Sequence, residues 1–106
     1  MLASSTIVAC AQTRHADVVD RIIADSRSDR STNREINLMG RIGGAREYCG
    51  LDWRPGFREF QSRDPENVQE NQFAHSSSRN LMQRFLRLEN HVCSDADIAA
   101  LNAYDP

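Results

Sequence analysis

The chain contains no lysine. All 13 of its cations are arginines, spread from Arg14 to Arg87. Guanidinium stays charged at any working pH and forks onto carboxylates and phosphates, whereas an ammonium group is a mobile point charge. Codon bias is the plain explanation, although seven Asn and six Ile show that AT-rich codons are not avoided throughout. Aromatic residues are also few, with four Phe, two Tyr and one Trp, so a core must be built from Leu, Ile, Val and Met. No apolar run approaches the roughly 20 residues needed to span a bilayer as a helix. Nor is there a glycine-rich phosphate loop, a nucleophile motif or a paired-ligand spacing, and accordingly no catalytic residue, metal ligand or cofactor is assigned. Cys10, Cys49 and Cys93 form an odd set without C-x-x-C. That pattern defines neither a disulfide framework nor a zinc knuckle, and the default reading is three small buried thiols in a reducing compartment. Should the chain be exported, Cys49 and Cys93 are the pair to bridge.

What is present fits one small domain spanning residues 1–106. Mean hydropathy is -0.61 and net charge -2, which gives no global attraction to nucleic acid or membrane. The charge is uneven. Residues 1–33 balance four Arg with four Asp, residues 34–63 set six Arg against four acids, and residues 64–106 set three Arg against seven. Ile7-Val8-Ala9-Cys10 resembles a bacterial lipoprotein processing box, but no basic stretch precedes it and nine residues are few for a signal peptide. The cytoplasm is the expected compartment, with export or a periplasmic location as the alternative.

Periodicity predicts an all-α fold, a bundle of four to five helices, with no sustained strand alternation. The first stretch runs from about Ser5 to Ser26, with Ile7, Ala11, His15, Val18 and Ile22 on one face and Asp17, Arg21 and Asp25 on the other. Thr32-Asn33-Arg34-Glu35 has the form of a capping box opening a second helix through Cys49, with Gly50 as its stop. Gly40, Gly43 and Gly44 inside that helix cost about 1 kcal/mol each relative to Ala, which points to close approach of another helix. Asp52-Trp53-Arg54-Pro55 starts a third helix, in which Trp53, Phe57 and Phe60 read as the core plug. Asp64-Pro65 starts a fourth, extending to about Asn90, with Phe73, Ser77, Leu81, Phe85 and Leu88 as its inward stripe and Met82 and Leu86 beside it. Ser94 caps the last helix, Asp95 to Tyr104.

Three groupings bear on function. His75, with Glu70, Asn71 and Ser76–Ser78 nearby, offers acid/base and hydroxyl groups, although one helix supplies neither a tautomer-holding partner nor a strained nucleophile; a histidine bonded to a neighbour is the default. His91 and Cys93 offer an imidazole and a thiol without the paired spacing of structural zinc. The basic middle segment offers Arg46, Tyr48, Trp53, Arg54 and Arg58 as a partner-binding surface. Arg, Trp and Tyr dominate interface hot spots, so an acidic protein partner fits better than nucleic acid, for which an acidic domain is poorly suited.

The segment Ser94-Asp95-Ala96-Asp97-Ile98-Ala99-Ala100-Leu101-Asn102-Ala103-Tyr104 resembles the closing helix of class I cytochromes c. That resemblance implies an exported, haem-related electron-transfer protein, with Met82 in the place of a distal axial ligand. The family's C-x-x-C-H attachment is represented by Cys10-Ala11-Gln12-Thr13-Arg14-His15, with one cysteine, Thr at the second position and the histidine displaced by one residue. The first expectation is therefore a small helical interaction or regulatory protein (inhibitor, adaptor or assembly subunit), and the haem-related reading is the alternative.

Overall fold

The computed structural model describes residues 17–104, and every regular element among them is helical. The helices are α1 (Val18–Ser26), α2 (Arg34–Tyr48), α3 (Arg54–Ser62), α4 (Val68–Leu88) and α5 (Asp95–Ala103), with a single 3₁₀ turn, Pro65–Asn67, leading into α4. The expected all-α bundle is what forms. Residues 5–16 of the first expected helix lie outside the described residues. Asp17 caps α1, its carboxylate accepting the Asp20 backbone N–H at 2.9 Å.

Helix ends follow local chemistry, with one departure from expectation. The Thr32–Glu35 capping box does not form, and α2 starts after Asn33 without a side-chain cap. The preceding turn is held by Asp29 instead, whose carboxylate accepts the Ser31 N–H at 2.9 Å and the Asn37 side-chain amide at 3.1 Å. Ser94 does build a full box: its hydroxyl accepts the Asp97 N–H and the Asp97 carboxylate accepts the Ser94 N–H, both at 3.0 Å. Helix α2 ends in paired reverse bonds, Gly50 N–H to Glu47 O and Leu51 N–H to Arg46 O, with Gly50 at φ 83°. Asn90, at φ 53°, closes α4 in the same way. These are Schellman ends, which need the left-handed conformation that Gly and Asn tolerate best.

Helix α4 lies directly on the glycines of α2. A Cβ placed on Gly40 would stand 2.6 Å from Ser78 Cβ and 2.7 Å from the His75 carbonyl oxygen. On Gly44 it would stand 2.5 Å from the Arg79 carbonyl oxygen and 2.9 Å from Met82 Cβ. Bare backbone therefore meets a neighbouring helix, and dispersion attraction across this close crossing offsets the poor helix propensity of glycine. The crossing sets the rotation of α4, and the rotation differs from the expected one. Asn71, Ala74, His75, Met82 and Leu86 are buried, while Phe73 and Leu88 are 77% and 73% exposed and Leu81 and Phe85 are also exposed. The notch admits Ala74, Ser78 and a flat imidazole, and a phenylalanine ring cannot enter where backbones stand this close.

Two apolar clusters flank the crossing. Val18, Val19, Ile22, Ile42, Ala45, Met82, Leu86 and Leu101 join α1, α2, α4 and α5. Ile36, Met39, Phe60 and Ala74 join α2, α3 and α4, with Phe57 packed against them. Of the expected aromatic plug, Phe60 is buried and Trp53 and Phe57 remain half-buried. The expectation of reduced thiols is overturned for two cysteines: Cys49 and Cys93 form a disulfide that ties the end of α2 to the loop before α5. Cys10 lies outside the described residues.

Gly44→Ala should lower unfolding free energy by about 2 kcal/mol in urea titrations, because overpacking against the Arg79 carbonyl outweighs the improved helix propensity. Gly50→Ala meets nothing within 4 Å and should cost only about 1 kcal/mol, the strain of its positive φ. Reduction of Cys49–Cys93, which spans 44 residues, should remove up to about 4 kcal/mol, read as a drop in thermal midpoint with dithiothreitol.

Candidate functional site

One cluster concentrates the uncommon side chains of this chain where α3 meets α4. The Asp52 carboxylate accepts the Arg54 backbone N–H at 3.0 Å, and Pro55 opens α3, which swings the Trp53 indole over α4. Gly43 leaves room beneath: a Cβ there would stand 3.2 Å from the His75 ring and 3.4 Å from Trp53 Cβ. The imidazole fills that space, 5.1 Å from the Trp53 ring and 4.5 Å from Phe57, centroid to centroid. One turn along α4, the Arg79 guanidinium lies over Trp53 at 3.8 Å and its NH1 stands 3.0 Å from His75 Nδ1.

Guanidinium has only donors, so Nδ1 must accept and the imidazole proton sits on Nε2. Burial, reinforced by the Arg79 charge, pushes the His75 pKa down from 6.5 to about 4, and the ring is neutral at physiological pH. With Nδ1 engaged and Nε2 protonated, the ring has no free lone pair with which to take a substrate proton. The grouping considered around it also fails to assemble, because Asn71 donates to Asp64 at 3.0 Å and Glu70 is exposed. His75 is bonded to a neighbour, as expected by default. Beside it is a cavity of about 200 Å³, lined in part by Met39, Trp53, Phe57, His75, Asn102 and Tyr104.

The five residues expected to bind a partner divide into two sets. Arg46 is half-buried, donating from Nε to the Asp52 carbonyl at 2.7 Å and from NH1 to the Leu101 carbonyl at 2.9 Å. Tyr48 is also half-buried and donates its hydroxyl to the His91 carbonyl. Both brace the fold. Arg54 and Arg58 are exposed, and Trp53 is half-buried beside them: Arg54 reaches the Asp52 carboxylate at 3.3 Å and lies 5.6 Å from the Trp53 centroid, and Arg58 has no ion-pair partner among the described residues. The Arg54 N–H bond, with the charges of Arg54, Arg58 and Arg46, holds the Asp52 carboxyl below its usual range. Arg79, 3.5 Å from Glu47, completes this set. Sequence reasoning missed it, although its position four residues after His75 was the available signal.

A second polar knot sits at the other end. The Asp97 carboxylate, 3% exposed, accepts from the Val18 N–H at 2.9 Å, the Ser94 N–H at 3.0 Å and His91 Nε2 at 2.8 Å. Burial raises its pKa, but these bonds outweigh it and hold the carboxyl below the ordinary value. Cys93 is consumed by its disulfide, so His91 and Cys93 do not make a metal pair, and no group of three or more metal-ligating side chains occurs among the described residues. Met82, the distal position implied by the cytochrome resemblance, packs in the apolar core. Cys10 and His15 lie outside the described residues.

Stability should fall as pH drops below neutrality. The unfolded chain protonates His75 near 6.5 and the folded chain only near 4, so the unfolded state binds more protons between these values. The loss should reach about 3 kcal/mol at the lower limit. Asp97 adds to it below that window, since its bonds are lost once the carboxyl protonates. Urea titrations at several pH values should show His75→Gln flattening the slope between pH 6.5 and 4.

Comparison with known proteins finds no matching family model, no similar curated protein and no similar solved structure.

Proposed function

We propose that this chain is a small helical interaction or regulatory protein that docks an acidic protein segment on Trp53, Arg54 and Arg58. The observation that carries this reading is an indole flanked by two guanidinium groups, Arg79 at 3.8 Å and Arg54 at 5.6 Å, with Arg58 exposed nearby. Such a surface offers an apolar plate for a partner's side chain and forked donors for its carboxylates. Arg79 acts as a support, fixing the indole from below through its contacts with His75 and Glu47. The partner surface narrows from five residues to three, because the donors of Arg46 and Tyr48 serve internal carbonyls. A net charge of -2 disfavours a nucleic-acid partner. The disulfide favours work in an oxidising compartment, which supports the exported alternative over the cytoplasmic one.

Trp53 is the sole tryptophan, so its fluorescence reports on the proposed surface directly. Titration with a synthetic Glu/Asp-rich peptide should shift that emission in a salt-sensitive manner. The double variant Arg54→Ala/Arg58→Ala should weaken the response by about tenfold or more. An unchanged emission, or a double variant that binds as wild type does, would remove the reading. Tighter binding to a single-stranded oligonucleotide than to the peptide would reassign the partner class.

A further inference from the structure

The face of α4 turned away from α2 carries a pattern that is symmetric about one residue. Counting from Ser77, Phe73 and Leu81 stand four residues to either side, and Glu70 and Arg84 stand seven to either side. At about 100° per residue these five positions share an arc of about 80°, opposite the buried His75, Met82 and Leu86. All five are exposed. Glu70 and Arg84 have no ion-pair partner among the described residues, whereas Arg79, Arg63 and Arg21 pair with Glu47, Glu59 and Glu89.

We propose that two copies of this chain pair antiparallel along α4, about a two-fold axis through Ser77. An antiparallel two-fold places residue 77 - n of one copy opposite residue 77 + n of the other. Phe73 then meets Leu81 of the second copy twice over, and Glu70 meets Arg84 twice over. Ser77 meets itself, and its small side chain lets the helices close. Charge decides the direction: a parallel pairing sets Glu70 against Glu70 and Arg84 against Arg84, so like charges reject it. Leu88, 73% exposed, extends the seam towards the Pro65–Asn67 turn of the second copy. The seam follows a single helix of 21 residues, roughly 30 Å long, smaller than the interfaces of obligate dimers. The pairing is therefore reversible and concentration-dependent. It uses no part of the Trp53–Arg54–Arg58 surface, so the two proposals stand or fall separately.

Sedimentation velocity on the full chain, from low micromolar to submillimolar concentration, provides the test. The sedimenting mass should double across this range. Leu81→Glu should weaken association by at least about tenfold, as should Glu70→Arg or Arg84→Glu alone. Glu70→Arg/Arg84→Glu should restore it, because the two-fold exchanges the partners. In a Cys10→Ser background, mild oxidation should crosslink Ser77→Cys into a covalent dimer and leave Gln72→Cys, on the helix flank, largely uncrosslinked. Glu70, Gln72, Ser77, Leu81 and Arg84 are all exposed, and circular dichroism checks that each variant remains helical. A monomer at every concentration overturns the proposal, as does a dimer indifferent to Leu81→Glu and to the charge reversals. Dimerisation that appears only after residues 1–16 are removed also overturns it, by assigning the face to the chain's own N-terminal segment.

Discussion

Gly40 and Gly44 on α2 let α4 lie against bare backbone, Gly43 between them makes room for a side chain, and the position of nearly every other group follows from that contact. Helices that approach this closely favour small, flat or flexible side chains between them, and Ala74, His75, Ser78 and Met82 occupy the inner face. Once α4 is rotated to present those residues, His75 must sit beside Gly43, and the aromatics of α3 close over it. The same rotation turns Phe73, Leu81 and Leu88 outward. A buried imidazole and a solvent-facing phenylalanine are thus two results of one steric constraint. Apolar side chains are left in water because backbone proximity, rather than total hydrophobicity, fixes the angle of the helix.

That ordering explains which parts of the fold were legible in the sequence. Gly50, Pro55 and Ser94 act within a few residues of themselves, and their consequences could be read locally. The glycines of α2 also announced a close helix crossing. The inner face of α4 was misread because Phe73, Leu81 and Phe85 form a good stripe at four-residue spacing, and periodicity cannot tell which of two faces a neighbour will accept. The Thr32–Glu35 motif failed for a similar reason: Asp29 offered the preceding turn a competing anchor from outside the four residues. Within the candidate site, Arg54 and Arg58 were legible as exposed groups, whereas Trp53, read also as part of a core plug, is half-buried. The internal roles of Arg46 and Tyr48 were not, because their acceptors, Leu101 and His91, lie 55 and 43 residues away.

The absence of lysine also has a structural counterpart. Arg46 reaches two carbonyls on different segments from separate nitrogens of one plane, which an ammonium on a flexible stem does less well. Arg79 lies over an indole, 3.8 Å from its centroid, while donating to an imidazole, a combination suited to a planar guanidinium. At these two positions the arginine is fitted to its geometry, and substitution by lysine would keep the charge while losing the fork and the planar group.

The covalent link between Cys49 and Cys93 encloses α3 and α4 within one loop of the chain. Pulled from its two ends, the protein can lengthen only through the segments outside that loop. Roughly 150 Å of contour stays locked while the bond is intact. Tension would be carried by α1, α2 and α5, which lie outside the loop, whereas α3 and α4 would bear no direct load, and the surfaces they carry would remain on the loop until a reductant opened it.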